Sequence, residues 1–162
     1  DCRKRTNPMT RLSQNFTLQE YTKSQTATRL GIDNSPNLEH LANAKELFTY
    51  VVQPVREHFG VTRITSGYRS PALNEAIGGS SRSQHSKGQA VDFECSGTDN
   101  LTVAKWIRDN LEFDQLISEF YVPGDPTSGW IHVSWSGEDN RNQCLTASRV
   151  DGKTQYTTGL PE

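Results

Sequence analysis

The 162-residue chain contains no apolar run approaching the roughly 20 residues a membrane-spanning helix needs, and no apolar segment of the signal-peptide kind near its start. No membrane span is therefore expected, and work outside the cytoplasm is expected to depend on delivery by other means. An excess of either charge is also missing: 17 Lys and Arg stand against 19 Asp and Glu, a formal net charge of −2. With no long basic stretch to neutralise phosphates, nucleic acid and anionic membrane surfaces are not expected partners. Cysteine is scarce. Cys2, Cys95 and Cys144 form no C-x-x-C pair, which argues against a thiolate zinc site. A Cys95–Cys144 disulfide and two buried free thiols both fit, so the redox compartment stays open. Internal repeats and low-complexity linkers are absent as well.

What is present suits one compact domain with a modest core: 33% hydrophobic and 22% charged residues. The chain begins at Asp1 with the short basic stretch DCRKR, and Met9 follows closely. Residues 1–8 read as a disordered or extraneous extension, and residues 9–162 as the domain.

The order of elements points to an α+β fold in which N-terminal helices pack on a small antiparallel sheet. Thr17-Leu18-Gln19-Glu20 is a capping-box pattern, which predicts a short helix through about Ser24. Asn37 predicts the cap of a longer helix running to Phe59 and ended by Gly60. Its apolar positions Leu38, Leu41, Leu47, Phe48, Val51, Val52, Val55 and Phe59 recur near helical period, and Pro54 should kink or divide it. A strand is predicted over Val61–Ser66 and a brief helix from Pro71 to Gly78-Gly79. A loop over Ser80–Gly88 and a strand over Gln89–Cys95 follow. A helix at Asn100–Asn110 comes next, then strands at Asp114–Tyr121 and Gly129–Trp135 joined as a hairpin by turn-forming residues. The strand Leu145–Val150 precedes Asp151-Gly152, a hairpin turn.

The chemistry concentrates in Ser83-Gln84-His85-Ser86-Lys87-Gly88-Gln89-Ala90-Val91-Asp92. A histidine in a Gly-containing loop is followed seven residues later by a carboxylate on a strand. Imidazole nitrogen and carboxylate oxygen both suit Zn²⁺, and a loop-to-strand return can bring them onto one ion. Asp92 lies between Val91 and Phe93, so its side chain takes the opposite strand face, where an unpaired charge is costly. His132, in Trp130-Ile131-His132-Val133-Ser134-Trp135, is the third candidate. Two histidines and one carboxylate leave a fourth tetrahedral position open, the catalytic rather than the structural arrangement.

The signature Ser83-x-His85-x-x-Gly88-x-Ala90-x-Asp92, preceded by Ser66-Gly67-Tyr68-Arg69-Ser70 and followed by Trp130-Ile131-His132, resembles the D-Ala-D-Ala carboxypeptidase-like zinc peptidases. The likeness runs from about Phe16 to Trp135. Asn15-Phe16-Thr17-Leu18-Gln19-Glu20 and Ile32-Asp33-Asn34 resemble its short, phage- and bacterium-encoded branch. The resemblance implies one zinc ion on His85, Asp92 and His132, and an Arg69 that contacts substrate and supports charge developing on the attacked carbonyl. It further implies that Ser83 and Gln84 border the substrate, and that Tyr68, packed beside Arg69, also contacts it. The implied activity is hydrolysis of amide bonds in peptidoglycan peptides, by carboxypeptidase or endopeptidase action.

The sequence departs from that pattern at the general base. Better-known members carry Glu or Asp two or three residues before the last histidine, where this chain has Trp130 and Gly129. The nearest acids are Glu119 and Asp125. Glu119 sits on the preceding strand of the expected hairpin, within reach of His132 across the ladder, whereas Asp125 sits at a turn tip. Glu119 is therefore the expected base. The competing reading is a non-catalytic peptidoglycan-binding module or virion structural part that has lost its base. The short form without an export signal suits a phage lysin or a virion-borne enzyme acting on the bacterial wall, with other virion proteins as partners if it is tail-borne.

Overall fold

A computed structural model describes Asn7 and residues 9–162 of the chain. The expected extension over residues 1–8 lies, Asn7 apart, outside the described residues.

The N-terminal half is mostly helical. A two-stranded ribbon, β1 (Arg11–Ser13) and β2 (Phe16–Thr17), leads into α1 (Leu18–Thr22). Thr17 caps α1, and the Glu20 side chain returns to the Thr17 backbone, so both halves of the capping box form. A short helix that the sequence reading did not name, α2 (Gln25–Leu30), lies between the cap Ser24 and the left-handed Gly31. Asn37 caps α3 (Leu38–Leu47), which continues through one widened turn, Phe48–Val52, into α4 (Gln53–Phe59). The division expected from Pro54 takes this form. Proline offers no N–H and its ring crowds the carbonyl four residues back. The chain opens by one residue, Gln53 N–H bonds the Phe48 carbonyl, and Pro54 falls in the first turn of α4.

The C-terminal half builds a six-stranded sheet from β3 (Thr62–Ser66), β4 (Ala90–Cys95), β5 (Gln115–Glu119), β6 (Trp130–Ser134), β7 (Gln143–Val150) and β8 (Lys153–Thr158). Helix α5 (Pro71–Ala76) lies between β3 and β4, and α6 (Asn100–Asn110) between β4 and β5. The strand order is β3-β4-β6-β5-β7-β8. The expected β5–β6 hairpin forms, and so does the β7–β8 hairpin around Asp151-Gly152. The sheet is not the small antiparallel one expected, because β7 runs parallel to β5. After β6 the chain loops back to the start of β5 and adds β7 on its free side, a crossover that local turn signals do not encode.

One face of the sheet is apolar. Val91, Phe93, Leu116, Ile131 and Val133 are buried there with Leu47, Phe48, Val51, Val52 and Val55 in a single core. Each such side chain stabilises the fold by about 1.5–3 kcal/mol. The alternation of the strands sends Asp92, His132, Ile117 and Glu119 to the other face. Cys95 and Cys144 are free thiols. They stand on β4 and β7 with β6 and β5 between, so ordinary strand spacing alone separates them by about 14 Å, beyond what a disulfide spans.

Candidate metal centre and groove

The signature segment folds as a sequence of local fixtures. Ser83 Oγ accepts the His85 N–H at 3.3 Å and opens a single tight turn over Gln84–Lys87. Gly88 closes it with a φ of +71°, where a Cβ would stand 2.3 Å from the His40 carbonyl oxygen. Only glycine satisfies both conditions. Ala90 is fully buried, and its carbonyl accepts the Tyr21 hydroxyl at 2.7 Å.

His85 Nδ1 lies 2.8 Å from the Gly67 carbonyl. A carbonyl only accepts, so Nδ1 carries the proton and Nε2 keeps its lone pair, facing Asp92 Oδ1 at 3.5 Å. Asp92 on β4 pairs in register with His132 on β6, whose Nδ1 is 2.8 Å from the same Oδ1. One donor from each of the three residues lies within 4.8 Å of the others. Ligand atoms on a tetrahedral zinc with bonds of about 2.0–2.1 Å are about 3.3 Å apart, and the two observed separations bracket that value. Burial pushes the Asp92 carboxyl up. The His132 and His85 rings beside it outweigh burial and hold the group well below the usual carboxylate range. The trio thus fits a divalent cation in donor type and spacing.

These residues floor a groove of about 650 Å³ that Arg69, Ser83, Gln84, Glu119 and Trp130 also line. The Arg69 backbone is clamped. Its N–H donates to the His85 carbonyl at 3.2 Å, while Asn34 bonds the Tyr68 carbonyl and the Ser70 N–H on either side. Arg69 Nε is buried without a hydrogen-bond partner, and among the described residues its guanidinium forms no ion pair. That leaves a held, unneutralised cation at the groove. Tyr68 is not brought into the groove. It is 3% exposed, its hydroxyl meets His40 Nδ1 at 2.8 Å, and burial together with the charge of Asp33 pushes its pKa up to about 12.

Glu119 stands directly opposite Trp130, not His132, so it is a diagonal neighbour of His132 on the same face. Diagonal partners are separated by roughly 7–8 Å, room for a bridging water. Burial and the Asp92 charge raise the Glu119 carboxyl, and His132, the Trp130 indole and Arg69 offset part of this. Asp125 is exposed in the turn before β6, where its carboxylate accepts from the Thr127 N–H and hydroxyl. It does not line the groove.

Sequence reasoning missed several residues that order the site. Asn34, in the Ile32-Asp33-Asn34 segment, carried no sequence signal for its bonds to the Tyr68 carbonyl and the Ser70 N–H. Asp114 is 2% exposed and accepts from Arg141 and from Gln84. A carboxylate directly after Phe113 and two residues before Leu116-Ile117 was a usable signal, since a charge among apolar residues needs partners. For Arg141 and Tyr156, which also line the groove, no sequence signal existed.

A family model, that of peptidase M15, matches residues 14–134. No curated protein matches the chain.

Proposed function

The chain belongs to the peptidase M15 family, whose peptidases are zinc-dependent, and on that premise we propose that it is a metallopeptidase hydrolysing amide bonds in cell-wall peptides. The observation that carries the reading is the convergence of His85 Nε2, Asp92 Oδ1 and His132 Nδ1 inside the groove. A zinc ion on these donors supplies Lewis acidity towards a water and a carbonyl.

The remaining work falls to the chain's own groups. Glu119 takes the proton of the attacking water on a carboxylate oxygen and returns it to the leaving amine. Its burial in the groove favours taking up that proton. The Arg69 guanidinium, clamped through its backbone and without an ion pair among the described residues, supports the negative charge that grows on the carbonyl oxygen. Gln84 and Ser83 border the peptide, and Trp130 offers an apolar wall. The site of action under this proposal is the bacterial cell wall, reached as a lysin or as part of a virion.

Digestion of purified peptidoglycan, read by mass spectrometry for new amine termini, tests the reading. Release of new termini that stops with chelator and returns with zinc supports it. Zinc-loaded protein that binds the wall yet generates no termini overturns it in favour of a binding module.

A further inference from the structure

We propose that Arg141 recognises a free carboxylate on the substrate, making the site selective for peptides that carry one next to the scissile amide. The inference rests on the peptidase reading and adds the charge of the substrate. Arg141 belongs to the loop between β6 and β7, beyond the segment that the family model matches, yet it lines the groove that holds His85, Asp92 and His132.

Its guanidinium is fixed from one side only. Asp114 Oδ1 accepts the Arg141 backbone N–H at 3.1 Å and Nε at 2.9 Å, while Oδ2 accepts Nη2 at 2.9 Å. That side-on pairing occupies Nε and one N–H of Nη2. Among the described residues, the end of the guanidinium, Nη1 and the outer N–H of Nη2, forms no hydrogen bond. Two parallel N–H donors in this arrangement match the two oxygens of a carboxylate. A residue whose task was only to neutralise Asp114 would have no need to face the groove. The Arg141 side chain is instead 56% exposed, against 3% for Asp114.

The position is also tied to the metal centre. Asp114 Oδ2 accepts from Gln84 Nε2 at 2.9 Å, and Gln84 precedes His85 in the chain. One buried carboxylate therefore sets the distance between the guanidinium and a ligand histidine. Arg82 also lines the groove, and the acidic Asp92 and Glu119 lie on the strands of its floor. An anionic group is drawn to Arg141, and an amide beside it then lies over the floor. The carboxylate could be a chain terminus or an acidic side chain, and the chemistry at Arg141 is the same.

Calorimetric titration of the zinc-loaded full chain separates the possibilities. The probes are acetyl-D-alanine (terminal carboxylate), acetyl-D-glutamic acid α-amide (side-chain carboxylate only) and acetyl-D-alaninamide (neither). At least one acid should bind roughly 10- to 100-fold tighter than the neutral amide, the range of a charge-assisted hydrogen-bonded contact, and the tighter acid identifies the source. Arg141→Gln should erase that ratio. Arg141→Lys, which keeps the charge beside Asp114 but loses the fork, should retain only part of it, with melting curves confirming that both variants fold. Equal affinity of wild type for acids and amide overturns the inference, as does a ratio that survives Arg141→Gln. Failure of the peptidase reading looks different: the acid–amide ratio stands while zinc-dependent turnover is absent.

Discussion

Replacing Gly129 with Ala strikes both the fold and the proposed base at one point. Gly129 has a φ of +66°, and a Cβ there would stand 2.1 Å from the Glu119 carbonyl oxygen, 2.8 Å from Phe120 C and 2.9 Å from Tyr121 N. All three obstacles are backbone, so no side chain can swing aside. The left-handed conformation costs an alanine about 1–2 kcal/mol. Relieving the overlap by moving two chain segments costs about 1–3 kcal/mol more. The sum, about 2–5 kcal/mol, should lower the melting temperature by roughly 4–20 °C at about 2–4 °C per kcal/mol for a domain of this size. Gly124→Ala is the matched control, because Gly124 also has a positive φ, +88°, but open space where the Cβ would be. It should show only the conformational cost. Calorimetry of the two variants isolates the clash, and activity assays below the transition should show a lower kcat/KM for Gly129→Ala alone, because its relief displaces Glu119. Equal melting temperatures for the two variants would refute the close-contact reasoning, and an unchanged kcat/KM would detach Glu119 from catalysis.

Glu119→Gln should keep stoichiometric zinc yet lose about 10²–10⁴-fold in kcat, the usual worth of a general base; full activity with zinc bound rules the assignment out. Because burial and Asp92 raise the Glu119 carboxyl, NMR titration of the zinc-free protein should show a carboxyl titrating above the ordinary glutamate range that is absent from that variant. His85→Ala and His132→Ala should each abolish stoichiometric zinc uptake measured by elemental analysis, and retention of one ion per chain would displace the proposed centre. Hydrogen bonds from Arg141 lower the Asp114 carboxyl, so its contribution to stability is complete above the unfolded aspartate pKa of about 3.9 and is lost as pH falls through the lower folded value. Asp114→Asn should therefore cost stability at neutral pH and flatten the acid unfolding curve, a flattening absent if Asp114 is unimportant.

The metal trio was legible in the sequence because its constraints are local or follow from strand periodicity. Ser83, His85, Gly88, Ala90 and Asp92 lie within one turn and the strand after it, and alternation alone sends Asp92 away from the core. The capping box, the Asn37 cap and the β5–β6 hairpin were legible for the same reason. The parallel β5–β7 pairing was not, since a crossover on the far side of a strand depends on what the whole core leaves uncovered. That pairing, with the loop leading to it, is what carries Arg141 and Tyr156 to the groove. Tyr68 went the other way. Its place in the motif suggested a substrate contact, but its buried ring and the His40 hydrogen bond keep it out of the groove lining.

The displaced acid has a geometric account in the register of the sheet. The row Asp92, His132, Ile117 crosses β4, β6 and β5, and the next row on the same face pairs Trp130 with Glu119. An acid two residues before the last histidine, as the family pattern has it, would occupy the position of Trp130. Glu119 occupies the same row from the neighbouring strand, one spacing of about 4.8 Å away. The position three residues before the histidine is closed to any side chain by the contact at Gly129. Moving the carboxylate across the ladder therefore keeps its height relative to the ligands and changes only its lateral approach. If this is the correct account, the acid should be transferable between the two positions. Trp130→Glu introduced into Glu119→Gln should restore at least about tenfold of the lost kcat, a modest share of a general base's contribution. A double variant that folds, binds zinc and recovers nothing would show that the row is not what the chemistry requires.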